Sequence, residues 1–228
     1  MDEASARCFS PVIELPGRRL HGFAVARTAD GVGCLPAALA CARAWADDDG
    51  PTLLLDACPA DDAECARLAE ALLAAPHPEL LVVRVARYDR ADPHALLERL
   101  VDHGVTVSLR ELDIGAAELG LLAGAPIDMI ELPAAAVAAV EHDRSAARVI
   151  EHRAQLAHHH DWLVIASDVQ RPGQLAALER LGVDLVAGPA IGPPMTRDEA
   201  LRLVARRRTA DTAPAGAAAG RGALAPAR

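Results

Sequence analysis

The chain contains no lysine and no asparagine, so all 23 basic side chains in its 228 residues are arginine. Without lysine there is no Walker-type phosphate loop, whose lysine reaches the β- and γ-phosphates. Schiff-base chemistry on a carbonyl substrate or on pyridoxal phosphate is excluded for the same reason. Aromatic residues are nearly as scarce: two Phe, two Trp and one Tyr, against 52% hydrophobic residues. Alanine and branched aliphatics must therefore fill the core, with Phe9, Phe23, Trp45, Tyr88 and Trp162 as its only large rings. No uninterrupted apolar run reaches the roughly 18 residues of a membrane helix. The opening MDEASARCFS lacks the apolar centre of a secretion signal.

Cations are outnumbered, with 32 acidic residues and a net charge of −9. That balance excludes general nucleic-acid binding, which needs surplus cations to neutralise phosphates. The charge is uneven: residues 196–228 hold seven arginines against Asp198, Glu199 and Asp211, so this stretch is basic and the body before it more acidic. A solvated helix end followed by a tail accounts for the arginines without a nucleic-acid or membrane partner. The five cysteines (Cys8, Cys34, Cys41, Cys58, Cys65) are odd in number and include no C-x-x-C. They read as reduced, buried thiols and imply a cytoplasmic protein.

What is present is a regular alternation. Short branched apolar runs at Thr52–Asp56, Leu80–Ala86, Val105–Leu109, Ile127–Leu132, Leu163–Ala166 and Leu185–Gly188 predict strands. Apolar residues at three- and four-residue spacing predict helices at Asp61–Ala74, Pro93–His103, Ala116–Ala123, Ser145–His160, Gly173–Leu181 and Thr196–Arg207. Asp61 and Asp92 are candidate N-caps, with Pro93 at the first helical position. Upstream, Phe9–Leu15 and Arg19–Ala26 predict a hairpin about Pro16-Gly17, followed by a helix over Leu35–Ala46. Strands apolar on both faces and separated by helices imply a covered parallel sheet. About eight of them in some 200 residues favour a closed (β/α) barrel, of which the hairpin is a departure. After Arg208 the Ala/Gly/Pro-rich sequence cannot bury a core. The expected organisation is one α/β domain over residues 1–208 and a disordered tail over 209–228.

Motifs of hydrolases, zinc proteases and dinucleotide-binding folds are absent. His158-His159-His160 invites a metal reading, but consecutive helical residues diverge by about 100° and do not converge on one ion. His142 and His152 add nothing to that set. A solvated helix end, where imidazolium suits the dipole, is the simpler reading.

Three longer segments carry a more specific pattern. FSPVIELPGRRLHGF resembles the opening of the EAL domain, the bacterial module that cleaves cyclic di-GMP, with its F-Q-P strand, turn and E-A-L signature. GVTVSLRELDIGAAELGLLAGAPIDMIELP is similar to the family's segment running from L-D-D-F-G to P-x-D-x-[LI]-K-I-D. WLVIASDVQRPGQLAALERLGVDLVAGPAIGPPM is similar to its A-E-G-V-E…Q-x-x-x-L-x-x-x-G-x-D-x-x-Q-G stretch. The segments keep order over residues 8–205 and retain Gly22, Gly115, Pro126, Asp128, Gln174, Leu178, Gly182, Asp184, Gly188 and Pro194. The resemblance implies an EAL-type modified TIM barrel with an antiparallel N-terminal strand.

It also implies where chemistry would reside. The family holds two divalent cations with acidic residues at the barrel mouth, and a metal-activated water attacks the phosphodiester. In this chain the signature glutamate falls on Ala24, the asparagine of the next strand on Asp56, and the glutamate of E-I-T on Arg84. The paired aspartates fall on Arg110 and Glu111, the K-I-D lysine on Glu131 and its aspartate on Pro133. The two glutamates of A-E-G-V-E fall on Ser167 and Gln170. Two cationic side chains thus stand where anions are required, and no lysine is present at all. A charge network among Asp56, Arg84, Arg110, Glu111 and Glu131 is expected to fill the old two-metal pocket. If the arginines were instead unpaired, they would suit a phosphate or another anion.

The implied protein is catalytically inactive, needs no metal or other cofactor, and acts as an interaction or regulatory module in cyclic di-GMP or motility-type signalling. A regulatory protein and a second copy of the chain are its expected partners. The alternative is a non-catalytic cyclic di-GMP receptor, for which Arg27, Arg84 and Arg110 are the residual ligand contacts, although Ser10 and Thr28 replace a family glutamine and arginine. An active phosphodiesterase is the reading least compatible with the residues.

Overall fold

The computed structural model describes residues 7–26, 34–45, 50–57, 62–85, 93–110 and 127–211. Among them, eight strands run in chain order: β1 (Phe9–Glu14), β2 (Leu20–Val25), β3 (Thr52–Ala57), β4 (Leu81–Val85), β5 (Thr106–Leu109), β6 (Met129–Glu131), β7 (Leu163–Ala166) and β8 (Leu185–Ala187). Helices α1 (Leu35–Trp45), α2 (Asp62–Leu73), α3 (Pro93–Asp102), α4 (Ala134–Ala139), α5 (Arg144–His159), α6 (Pro172–Arg180) and α7 (Arg197–Asp211) lie between and after them. The strands close into a barrel in sequence order. β1 is antiparallel to both β2 and β8, while every other neighbouring pair is parallel. The expected hairpin and the reversed first strand are both present.

The period-2 alternation of each strand divides the core. Val12, Ala24, Leu54, Val82, Met129, Ile165, Leu185 and Ala187 form the cluster that fills the barrel interior. β5 contributes nothing apolar there, because its residue level with Arg84 is Ser108. Outward-facing residues of β1–β5 pack with α1, α2, α3 and α7 in a second cluster. Those of β6–β8 pack with α4, α5 and α6 in a third. The few aromatics are concentrated: Phe9 meets Phe23 edge-on at 6.3 Å, and Phe23 stacks on Trp45 at 5.6 Å. Alanine supplies the rest, as in α5, where Ala146, Ile150, Ala154 and Ala157 make the buried stripe. Cys8, Cys34 and Cys41 are buried, Cys8 and Cys41 as free thiols, and burial pushes the Cys41 thiol up to about 12.

Two differences from the sequence pattern have physical causes. Helix α4 was hidden because Ala134–Ala139 is nearly all alanine and shows no apolar period, only Val137 being buried. Helix α7 continues to Asp211, past the expected helix end at Arg207, because no glycine or proline interrupts the chain before Pro214. The expected helix 116–123, the N-caps Asp61 and Asp92, Cys58, Cys65 and residues 212–228 lie outside the described residues.

Candidate functional site at the barrel mouth

Parallel strands bring their C-terminal ends to one rim, and alternation decides which side chains point inward there. Asp56 is the register partner of Arg84, so the penultimate residues of β3 and β4 stand side by side. Arg110 follows β5 and is anchored by its backbone N–H, which donates to the Val85 carbonyl at 2.8 Å. Glu131 ends β6.

These four side chains form a closed ring. Arg84 Nη2 lies 2.7 Å from Asp56 Oδ1, and its Nη1 lies 3.6 Å from Glu131 Oε1. Arg110 Nη1 lies 2.9 Å from the same Asp56 oxygen, and its Nε lies 3.0 Å from Glu131 Oε2. Each guanidinium therefore bridges both carboxylates, and each carboxylate touches both guanidiniums. Glu131 and Arg84 are almost fully buried, with side chains 4% and 8% exposed, while Arg110 at 27% forms the outer edge. The expected network is present for Asp56, Arg84, Arg110 and Glu131, and the unpaired-arginine alternative is overturned. Glu111 and Arg27 lie outside the described residues.

The other expected positions that are described take no part in these ion pairs. Ala24 is one of the interior apolar layer. Pro133 caps the start of α4, where a missing N–H costs nothing. The Ser167 hydroxyl is buried and makes no hydrogen bond among the described residues, and the same holds for Ser108 and for Arg84 Nε. Gln170 is exposed, and its side-chain amide donates to Asp168. Ser108 was missed by motif matching, although it shares the inward parity of Arg84.

The loop carrying Ser167 and Gln170 is held by Gln174. This side chain is 1% exposed; its Oε1 accepts from Gln170 N at 2.8 Å and Arg171 N at 3.0 Å, and its Nε2 donates to the Val137 carbonyl at 3.1 Å. Arg171 in turn pairs with Glu141 at 2.6 Å. At the opposite rim, Asp128 and Asp184 perform one task twice. Asp128 Oδ2 accepts from Val107 N at 3.2 Å, and Asp184 Oδ2 accepts from Val164 N at 2.7 Å. Each carboxylate thus satisfies a backbone N–H of the preceding strand. Asp184 also meets His158 Nε2 at 2.9 Å, so His158 is a paired residue and not simply a solvated helix end.

The ring does not fit a pair of divalent cations. Such ions take hard oxygen ligands and net negative charge, whereas the described quartet is neutral. A divalent ion about 4 Å from one guanidinium would meet a repulsion of about 8 kcal/mol at an effective dielectric of about 20. Among the described residues, no group of three or more His, Cys, Asp or Glu side chains is arranged to hold a metal ion.

Seven parallel strands, a reversed first strand and a polar mouth at their C-terminal ends define a modified (β/α)8 barrel domain. Residues 35–194 match the EAL domain family, and the chain belongs to it. It is similar in fold to the EAL enzyme Bd1971 in its cGMP-bound form, with a TM-score of 0.72 and 16% identity over 87% of this chain and 64% of that one. It thus spans just under two thirds of Bd1971. The EAL domain of Mycobacterium smegmatis DcpA is similar at a TM-score of 0.72 and 17% identity, covering 87% of this chain and 96% of that one. The phosphodiesterase PaMucR, in complex with c-di-GMP, is similar at a TM-score of 0.70 and 19% identity, covering 84% and 92%. No curated protein matches by sequence. No helix among the described residues is long and apolar enough to cross a membrane.

Proposed function

We propose that this EAL domain is non-catalytic and acts by protein contact, as a regulatory module in cyclic di-GMP or motility-type signalling in the cytoplasm. The observation that carries the reading is the neutral Asp56–Arg84–Glu131–Arg110 ring at the mouth. It supports loss of hydrolysis because a phosphodiester needs an activated water and a cation to take up developing charge, and the positions aligned with the family's ligands supply neither. Family membership supplies the signalling setting, and buried free thiols suit a reducing compartment.

Incubating the full chain with cyclic di-GMP and Mg²⁺ or Mn²⁺, with separation of linear product, tests the reading. No product is expected, and metal-dependent turnover overturns it. Calorimetry with cyclic di-GMP distinguishes the receptor alternative, for which a saturable heat is required. Contact with a regulatory protein or a second copy is tested by affinity capture and by light scattering, with and without residues 209–228.

A further inference from the structure

We infer that the guanidinium groups of Arg84 and Arg110 are resident counter-cations, and that Asp56 and Glu131 become a divalent-cation site once both are removed. The inference deepens the non-catalytic reading and rests on the same ring, but it concerns charge balance and not turnover.

Both guanidiniums lie between the same two carboxylates, at 2.7 and 3.6 Å for Arg84 and at 2.9 and 3.0 Å for Arg110. The carboxylates come from β3 and β6, which are not neighbours in the barrel, so only groups in the interior bring them to a common partner. Removing the two heads leaves two negative charges facing one enclosed space. A single divalent ion restores neutrality there. Ser108, level with Arg84 across β4 and β5, and Ser167, just past the end of β7, carry buried, unpartnered hydroxyl oxygens, the neutral hard donors that such an ion accepts beside carboxylates. With the arginines in place the space and the charge are both taken. The native chain should then be indifferent to divalent ions.

Thermal unfolding of the full chain, followed by circular dichroism in EDTA or in about 5 mM MnCl2, tests this. The wild-type Tm is expected to be the same in both. Arg84→Met with Arg110→Met is expected to unfold lower in EDTA and to rise saturably by more than about 3 °C in Mn²⁺. If that variant is unfolded in EDTA, recovery of structure on adding Mn²⁺ is the expected result. A saturable rise in the wild type, or no response in the double variant, overturns the inference. A fourfold variant that adds Asp56→Asn and Glu131→Gln should fold and ignore Mn²⁺, and a response there also overturns it. A wild-type chain that Mn²⁺ stabilises but that cleaves no nucleotide defeats this inference alone. Nucleotide cleavage by a chain whose Tm ignores Mn²⁺ defeats the non-catalytic reading alone.

Discussion

Arg84 and Asp56 are cross-strand partners on β4 and β3, and their side chains meet at 2.7 Å inside the barrel, with Arg84 only 8% exposed. Register therefore fixes this pair before any side-chain choice is made. Arg84→Ala leaves Asp56 and Glu131 with one counter-charge between them in a buried setting. Loss of one partner from such a network costs about 3–5 kcal/mol. Urea unfolding should show that loss, and Asp56→Ala combined with Arg84→Ala should cost less than the two single changes added together.

Replacing Gln174 by Leu keeps the volume of a 1%-exposed side chain but strips the partners from Gln170 N, Arg171 N and the Val137 carbonyl. Unsatisfied buried groups cost about 1–3 kcal/mol each, so a destabilisation of about 3 kcal/mol is expected in denaturant unfolding. Hydrogen exchange should accelerate first at Gln170 and Arg171. Unchanged protection at both amides would contradict the assigned role.

Gly188 has φ +141°, and a Cβ there would lie 2.3 Å from the backbone nitrogen of Val169. Both objections fall on backbone that has no room to yield, because Val169 N donates to the Ala187 carbonyl and Ala190 N donates to the Val169 carbonyl. Gly188→Ala should destabilise by more than about 2 kcal/mol, read as a fall in the urea midpoint at constant slope.

Two ionisable groups set opposite pH edges. The Thr196 backbone N–H, donating to Glu199 Oε2 at 2.8 Å, holds that carboxyl below its ordinary value, with Arg7 adding to the effect. Its contribution is present above the unfolded-state carboxylate range and fades as pH falls through it, so Glu199→Gln should flatten the acid limb. Cys41 behaves the other way, since burial raises the thiol from 9.0 to about 12. The unfolded thiol ionises first, so stability is full below 9.0 and declines towards 12. Cys41→Ala should flatten the alkaline limb, and Ellman's reagent at neutral pH should label Cys41 only on unfolding.

The barrel was readable because each strand is a short branched run between helical spacings, and Val82–Val83 or Val164–Ile165 have no other use than burial on both faces. The Arg–carboxylate ring was also legible, because Arg84 and Glu131 interrupt those runs at positions aligned with a known site. Ser108 was not, since a lone serine beside Val107 and Leu109 carries no motif and gains meaning only from strand parity. Asp128 and Asp184 were matched as landmarks, but their capping of Val107 N and Val164 N depends on contacts across neighbouring strands. Helix α4 escaped because alanine forms helices without announcing a face.

The reversed β1 has a consequence for how this chain is born. It is the seam of the barrel, pairing Val12 with Ala187 and Ile13 with Val186. β1, made before the other described strands, must wait until nearly the whole domain has left the ribosome before its second edge is covered. Until then the nascent chain carries two open sheet edges, each a template for intermolecular pairing. Closure is a long-range event, with the loop-entropy cost that slows such contacts. Chaperone demand should accordingly peak just before β8 emerges, and a chain arrested before β8 should be the aggregating species.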